Sequence, residues 1–170
     1  MIPAEPEPAA GAPPPVQPLA ELLTPARVAW HLEVASKKRL LEAMAELLAA
    51  DSGLPAKSIF QILTERERLG STAIGEGVAL PHGRLAELEQ PLGACASLAA
   101  PVDFDAPDGR PVDLVFALLV PEAATQAHLD ILARLARCFH DDTWREALRR
   151  APDTAGLLER LRQAPVPGGR

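Results

Sequence analysis

The chain has 170 residues, of which 48% are hydrophobic and only 4% aromatic, with a formal net charge of −6. One domain with an aliphatic core is the default for that length, and the acidic balance argues against nucleic acid or an anionic membrane as main partner while leaving a basic protein partner open. No apolar run reaches the ~18 residues of a membrane-spanning helix, and the first residues lack the basic-then-apolar order of a secretory signal, so a cytoplasmic chain is expected.

Residues 1–18 hold seven of the 18 prolines, spaced by Ala, Gly and Glu. Such a segment favours extended states and is expected to be a disordered arm. The domain is expected over 19–164, with 165–170 as a Pro/Gly tail. Leu19, Leu22 and Leu23 lead in, and Val28 to Val34 reads as a first strand. Ser36 is placed to cap a helix whose apolar stripe is Leu40, Leu41, Met44, Leu47 and Leu48. A second helix runs from about Pro55 to Arg68. Ile59, Ile62, Leu63 and Arg66 fall on one of its faces, with Glu65, Glu67 and Arg68 on flanking or outer positions. An arginine at the edge of a core commonly pairs with a carboxylate. Arg66, however, also feeds directly into the turn that follows.

That turn opens the most informative stretch, Gly70 to Arg84. Ser71 and Thr72 supply hydroxyls, and spaced glycines permit tight turns. Val78, Ala79 and Leu80 read as a buried strand ending at Pro81. His82 is then expected where the chain leaves the sheet, held between proline and glycine, with a loop carrying Arg84, Glu87 and Glu89 after it. Leu92 to Ala99 reads as a strand, and Asp103 to Pro111 as a turn-rich connection. Val112 to Val120 is almost continuously apolar, as in a strand buried on both faces. It requires helices above and below, hence an α/β sandwich.

A long helix is expected from about Thr125 to Phe139, with Leu129, Leu132, Leu135, Ala136 and Phe139 inward and His128 in its first turn. Two shorter helices, near 142–150 and 153–163, close the domain. Cys95 and Cys138 are isolated and read as reduced, buried residues.

A histidine at a strand end is more commonly structural than reactive, and a half-buried His128 could simply bond a carbonyl. Taken together, the residues suit phosphoryl chemistry. A neutral imidazole is a nucleophile near neutral pH. A metaphosphate-like group in transfer needs positioning and donors aimed at its oxygens. Arg66 offers a forked cation, Ser71 and Thr72 hydroxyls, and the glycine turns free N–H groups. His128 could donate from the start of another helix, where the dipole also favours an anion. Ile74, Val78, Leu80 and Leu85 could exclude water, although Val78 and Leu80 read as core. No metal is expected, since the two histidines lie 46 positions apart without a ligand cluster. No cofactor is expected either: the chain has no GxxxxGKS loop for a nucleotide, and without a GxSxG elbow nucleophilic serine chemistry is not indicated.

The string Arg66-Glu67-Arg68-Leu69-Gly70-Ser71-Thr72, the motif Ala79-Leu80-Pro81-His82-Gly83, the run Pro111 to Pro121 and the pair His128-Leu129 together resemble the Enzyme IIA components of the bacterial phosphotransferase system. The resemblance is to the mannitol/fructose-type superfamily and its nitrogen-related branch, from about Leu19 to Gln163. It implies a single α/β domain with a mixed sheet of about five strands between helices. It implies that His82 takes a phosphoryl group from an HPr-like carrier charged through Enzyme I and phosphoenolpyruvate, that Arg66 and His128 belong to the active site, and that Ser71 and Thr72 line it. Nitrogen-branch members are regulatory switches with target proteins, whereas sugar-specific members pass phosphate to a IIB component. A binding module that has lost phosphotransfer is the third possibility, opposed by the intact His82, Arg66 and His128. Ala73 departs from the glycine usual in the family; a positive φ there would strain it.

Overall fold

The computed structural model describes residues 19–123 and 126–165, without the side chains of Ala20 and residues 127–129. The expected arm, 1–18, and all of the tail but Pro165 lie outside the described residues. Helix α1 (Leu19–Leu22) and a 3-10 turn at Pro25–Arg27 lead into strand β1 (Val28–Leu32). Two helices follow, α2 (Lys37–Ala49) and α3 (Ala56–Arg68). Three short strands come next: β2 (Ala73–Gly75), β3 (Val78–Ala79) and β4 (His82–Leu85). The long strands β5 (Leu92–Val102) and β6 (Val112–Pro121) precede α4 (Gln126–Phe139), α5 (Asp142–Arg149) and α6 (Thr154–Leu161).

The strands form one mixed sheet in the order β1-β5-β6-β3-β2. It has six strand segments, against about five expected, because the stretch around His82 is cut in two. β3 and β4 both pair parallel to β6, one after the other along the same side of it. Leu80 and Pro81 separate them. Proline has no N–H to give the ladder, but its carbonyl accepts from Leu118 N at 2.9 Å, which keeps the two pieces in line.

β6 shows the period-2 logic of a central strand. Its Leu114, Phe116, Leu118 and Val120 pack with α4, α5 and α6. The alternate Val115, Ala117 and Leu119 pack with Leu40, Met44 and Leu48 of α2 and Ile59 and Leu63 of α3. The core is therefore two aliphatic layers, one on each face of the sheet, and each fully buried Leu or Ile contributes about 1.5–3 kcal/mol of burial. Ser36 caps α2 as expected, its hydroxyl accepting from Arg39 N at 3.1 Å. Asp141 and Asp153 cap α5 and α6 in the same way.

Three details sharpen or correct the sequence reading. His82 begins β4, paired with Leu118, and so enters the sheet at the point where it was expected to leave; Arg84 accordingly lies in a strand and not in a loop. Among the described side chains of α4 the buried positions are Ile131, Leu135, Cys138 and Phe139, while Leu132 and Ala136 pack against the same core half-buried, and Leu132 also reaches the cleft beside His82. Ala73 has no positive φ, and alanine stands there without strain.

Candidate active site

His82 sits half-buried at the start of β4, between the last turn of α3 and one flank of α4. A cleft of about 560 Å³ opens over it, lined by Ile62, Arg66 and Leu69 of the α3 end and by Leu132 of α4. A second depression, of about 390 Å³, adjoins it and shares Arg66, His82 and Leu132; it extends to Ser71, Thr72 and Ile74. The walls are mostly aliphatic. Leu69 is the exception to burial, 84% exposed at the lip.

The ring of His82 is held from inside. Its Nδ1 lies 2.8 Å from the Leu80 carbonyl oxygen. A carbonyl can only accept, so Nδ1 carries the proton and Nε2 keeps its lone pair. Burial holds the imidazole below its ordinary value of 6.5, with the Leu80 bond opposing and the Arg66 charge adding to the fall. A neutral ring with a free Nε2 is the nucleophilic form.

Gly83 sets the spacing. A Cβ at that position would lie 2.3 Å from Cγ2 of Ile62. Its absence lets α3 approach β4 closely, and α3 is the element that carries Arg66. The guanidinium of Arg66 donates through Nη1 to the Gly70 carbonyl at 2.9 Å, tying the helix end to the turn. It lines both depressions beside His82.

Ser71 and Thr72 border the second depression, but both hydroxyl protons are engaged within the protein. Ser71 Oγ donates to the Phe104 carbonyl at 2.6 Å and accepts from Ala73 N at 3.1 Å. Thr72 Oγ1 donates to Glu67 Oε1 at 2.6 Å. The two residues shape the turn that leads into β2. The backbone of His128 lies in the first turn of α4, one turn before Leu132; its side chain is outside the described residues. Of the proposed water-excluding residues, Ile74 and Leu80 line the depression, Leu80 as a buried residue, while Val78 and Leu85 are core.

Glu67 corrects the sequence reading. Expected on a flanking or outer position, it is only 8% exposed. It follows Ile59 and Leu63 at four-residue steps, and so completes the inward stripe of α3. That spacing was visible in the sequence; the acidic side chain masked it.

Among the described residues, no group of three or more His, Cys, Asp or Glu side chains is placed to hold a metal. Among the same residues, no helix is long and apolar enough to cross a membrane.

Residues 21–164 match the family model described as "Phosphoenolpyruvate-dependent sugar phosphotransferase system, EIIA 2". A nitrogen regulatory protein of Pseudomonas aeruginosa is 47% identical over 144 residues, covering 83% of this chain and 92% of that protein. One from Bradyrhizobium diazoefficiens is 42% identical over 149 residues, with 88% and 97% covered. The crystal structure of nitrogen regulatory protein IIA-Ntr from Neisseria meningitidis superposes with a TM-score of 0.79 at 44% identity, covering 84% of this chain and 98% of that one.

Proposed function

The chain belongs to the phosphoenolpyruvate-dependent sugar phosphotransferase system EIIA 2 family, and on that premise we propose that it is a cytoplasmic phosphohistidine carrier acting as a nitrogen-related regulatory switch. The observation that carries the proposal is the bond from His82 Nδ1–H to the Leu80 carbonyl, in a ring that lines the cleft beside Arg66.

In the proposed reaction the Nε2 lone pair attacks the phosphorus of a phosphohistidine on an HPr-like donor. The new N–P bond forms as the donor's N–P bond breaks, and the bonding electrons return to the donor ring. Nδ1–H stays on the Leu80 carbonyl throughout, so charge arising on the His82 ring is met by a fixed dipole. Arg66, beside the ring, balances the negative charge on the phosphoryl oxygens. His128, in the first turn of α4, is proposed to donate to the same oxygens. Ser71 and Thr72 are proposed to hold the turn that borders them. The aliphatic walls and Leu69 keep water from the phosphoryl group and form the donor's landing surface. The regulatory branch, with its target proteins, is supported by the nitrogen regulatory relatives at 42% and 47% identity; transfer to a IIB component is the alternative use of the same phosphate.

The test is incubation with phosphoenolpyruvate, Enzyme I and candidate HPr-like carriers, followed by mass spectrometry. One acid-labile phosphate is expected on the peptide containing His82. His82→Ala should take none, and labelling retained in that variant rejects the site.

A further inference from the structure

Glu67 is a buried carboxylate that the transfer scheme leaves unused. Burying a charge is costly unless it is fully paired, and this one is. Its oxygens accept from Thr72 N at 2.9 Å, from Thr72 Oγ1 at 2.6 Å and from Lys37 Nζ at 3.0 Å. The line of bonds continues. The Thr72 carbonyl accepts from Leu80 N at 3.0 Å, and the Leu80 carbonyl accepts from His82 Nδ1 at 2.8 Å. Leu80 falls in the gap between β3 and β4, where no ladder sets the direction of its carbonyl. Leu80 is instead held at its N–H by the Thr72 carbonyl, and its own carbonyl lies in the next peptide, to Pro81, which is anchored to β6 through Leu118 N. Thr72 is held in turn at both its N–H and its hydroxyl by one rigid carboxylate. An apolar residue at 67 would fill the same space at no charge cost, so what the carboxylate adds is direction.

We infer that Glu67 is a positioning residue for His82: through Thr72 and the Leu80 carbonyl it keeps the ring oriented with Nδ1 protonated and Nε2 facing the cleft. Lys37, half-buried on α2, closes the far end of the line through its ion pair with the carboxylate. The consequence for transfer rests on His82 being the phosphoryl acceptor; the orientation of the ring does not.

The test reads the two separately. Imidazole nitrogen NMR on the full unphosphorylated chain reports the His82 tautomer, and initial labelling rates report transfer. The wild type should show the Nδ1–H form. Glu67→Gln replaces one of the two oxygens that accept from Thr72 by an NH2 donor and lacks the charge that pairs Lys37. It should give a mixture of tautomers and transfer about tenfold slower. Thr72→Val, which keeps the N–H bond and loses the hydroxyl, should shift the mixture in the same direction. Lys37→Met, at a half-buried position, should do so more weakly, and these two variants carry the test should Glu67→Gln not fold. An unchanged Nδ1–H tautomer in folded Glu67→Gln, or in both Thr72→Val and Lys37→Met, overturns the inference. A wild-type chain that takes no phosphate while the variants still lose the Nδ1–H form rejects the acceptor role and supports the positioning.

Discussion

Substituting Gly83 by alanine tests how the cleft is assembled. Gly83 has no positive φ, so alanine brings no backbone strain there. The whole effect comes from its Cβ, 2.3 Å from Ile62 Cγ2. Ordinary contact begins at 3.4 Å, and α3 must therefore withdraw from β4 by roughly 1 Å. Overpacking of this kind costs about 1–3 kcal/mol, or about 2–12 °C in Tm at this chain length. The same shift carries Arg66 away from His82, and a misplacement of that size can slow transfer by up to about 100-fold. Ile62→Ala relieves the clash, because the next atoms a Cβ at 83 would meet are Ile62 Cβ at 3.8 Å and its carbonyl oxygen at 3.9 Å. Alone, Ile62→Ala should cost less than the ~2–5 kcal/mol of a fully buried isoleucine. The double variant should be more stable than the sum of the singles predicts, by about 0.5–3 kcal/mol. Urea unfolding and initial labelling rates on all four proteins measure both effects. Losses that add to within ~0.5 kcal/mol would refute the close approach of α3 and β4 as the reason for glycine.

Burial, chiefly, holds His82 below 6.5, so its proton NMR titration should have a midpoint under that value; one at or above it contradicts the assignment. Below pH 6.5 the unfolded chain binds this proton before the folded one, so stability should fall with pH from 6.5 down to the folded value, and that slope should be missing in His82→Gln. Leu69 is 84% exposed, and Leu69→Ser should leave stability within ~0.5 kcal/mol while raising the KM for the donor carrier several-fold; an unchanged KM removes it from the landing surface. Cys95 is fully buried and its thiol is pushed up to about 12, so at pH 8 it should react with thiol reagents only as the chain unfolds. Labelling as fast as in denaturant would show that β5 opens locally.

Much of the architecture was legible because burial writes itself into periodicity. The run from Val112 to Val120 announced a strand covered on both sides, and it became β6, the centre of the sheet. Three- and four-residue steps marked α2 and α3, Ser36 marked a helix start, and the string around Pro81-His82-Gly83 carried the family resemblance. These are statements about near neighbours and about which face a residue shows, and both are local. Only the tertiary structure decided how His82 is held. Its ring bonds the carbonyl of Leu80, a residue whose N–H bonds the Thr72 carbonyl, and Thr72 in turn bonds the Glu67 carboxylate of α3. The pairing of β4 with β6 and the seating of α3 against Gly83 likewise depend on register and docking distance. A hydrogen-bond line through bends has no period to read in a sequence: even its short-range links depend on how the chain turns, and a bond forms only where donor and acceptor come within about 3 Å of one another.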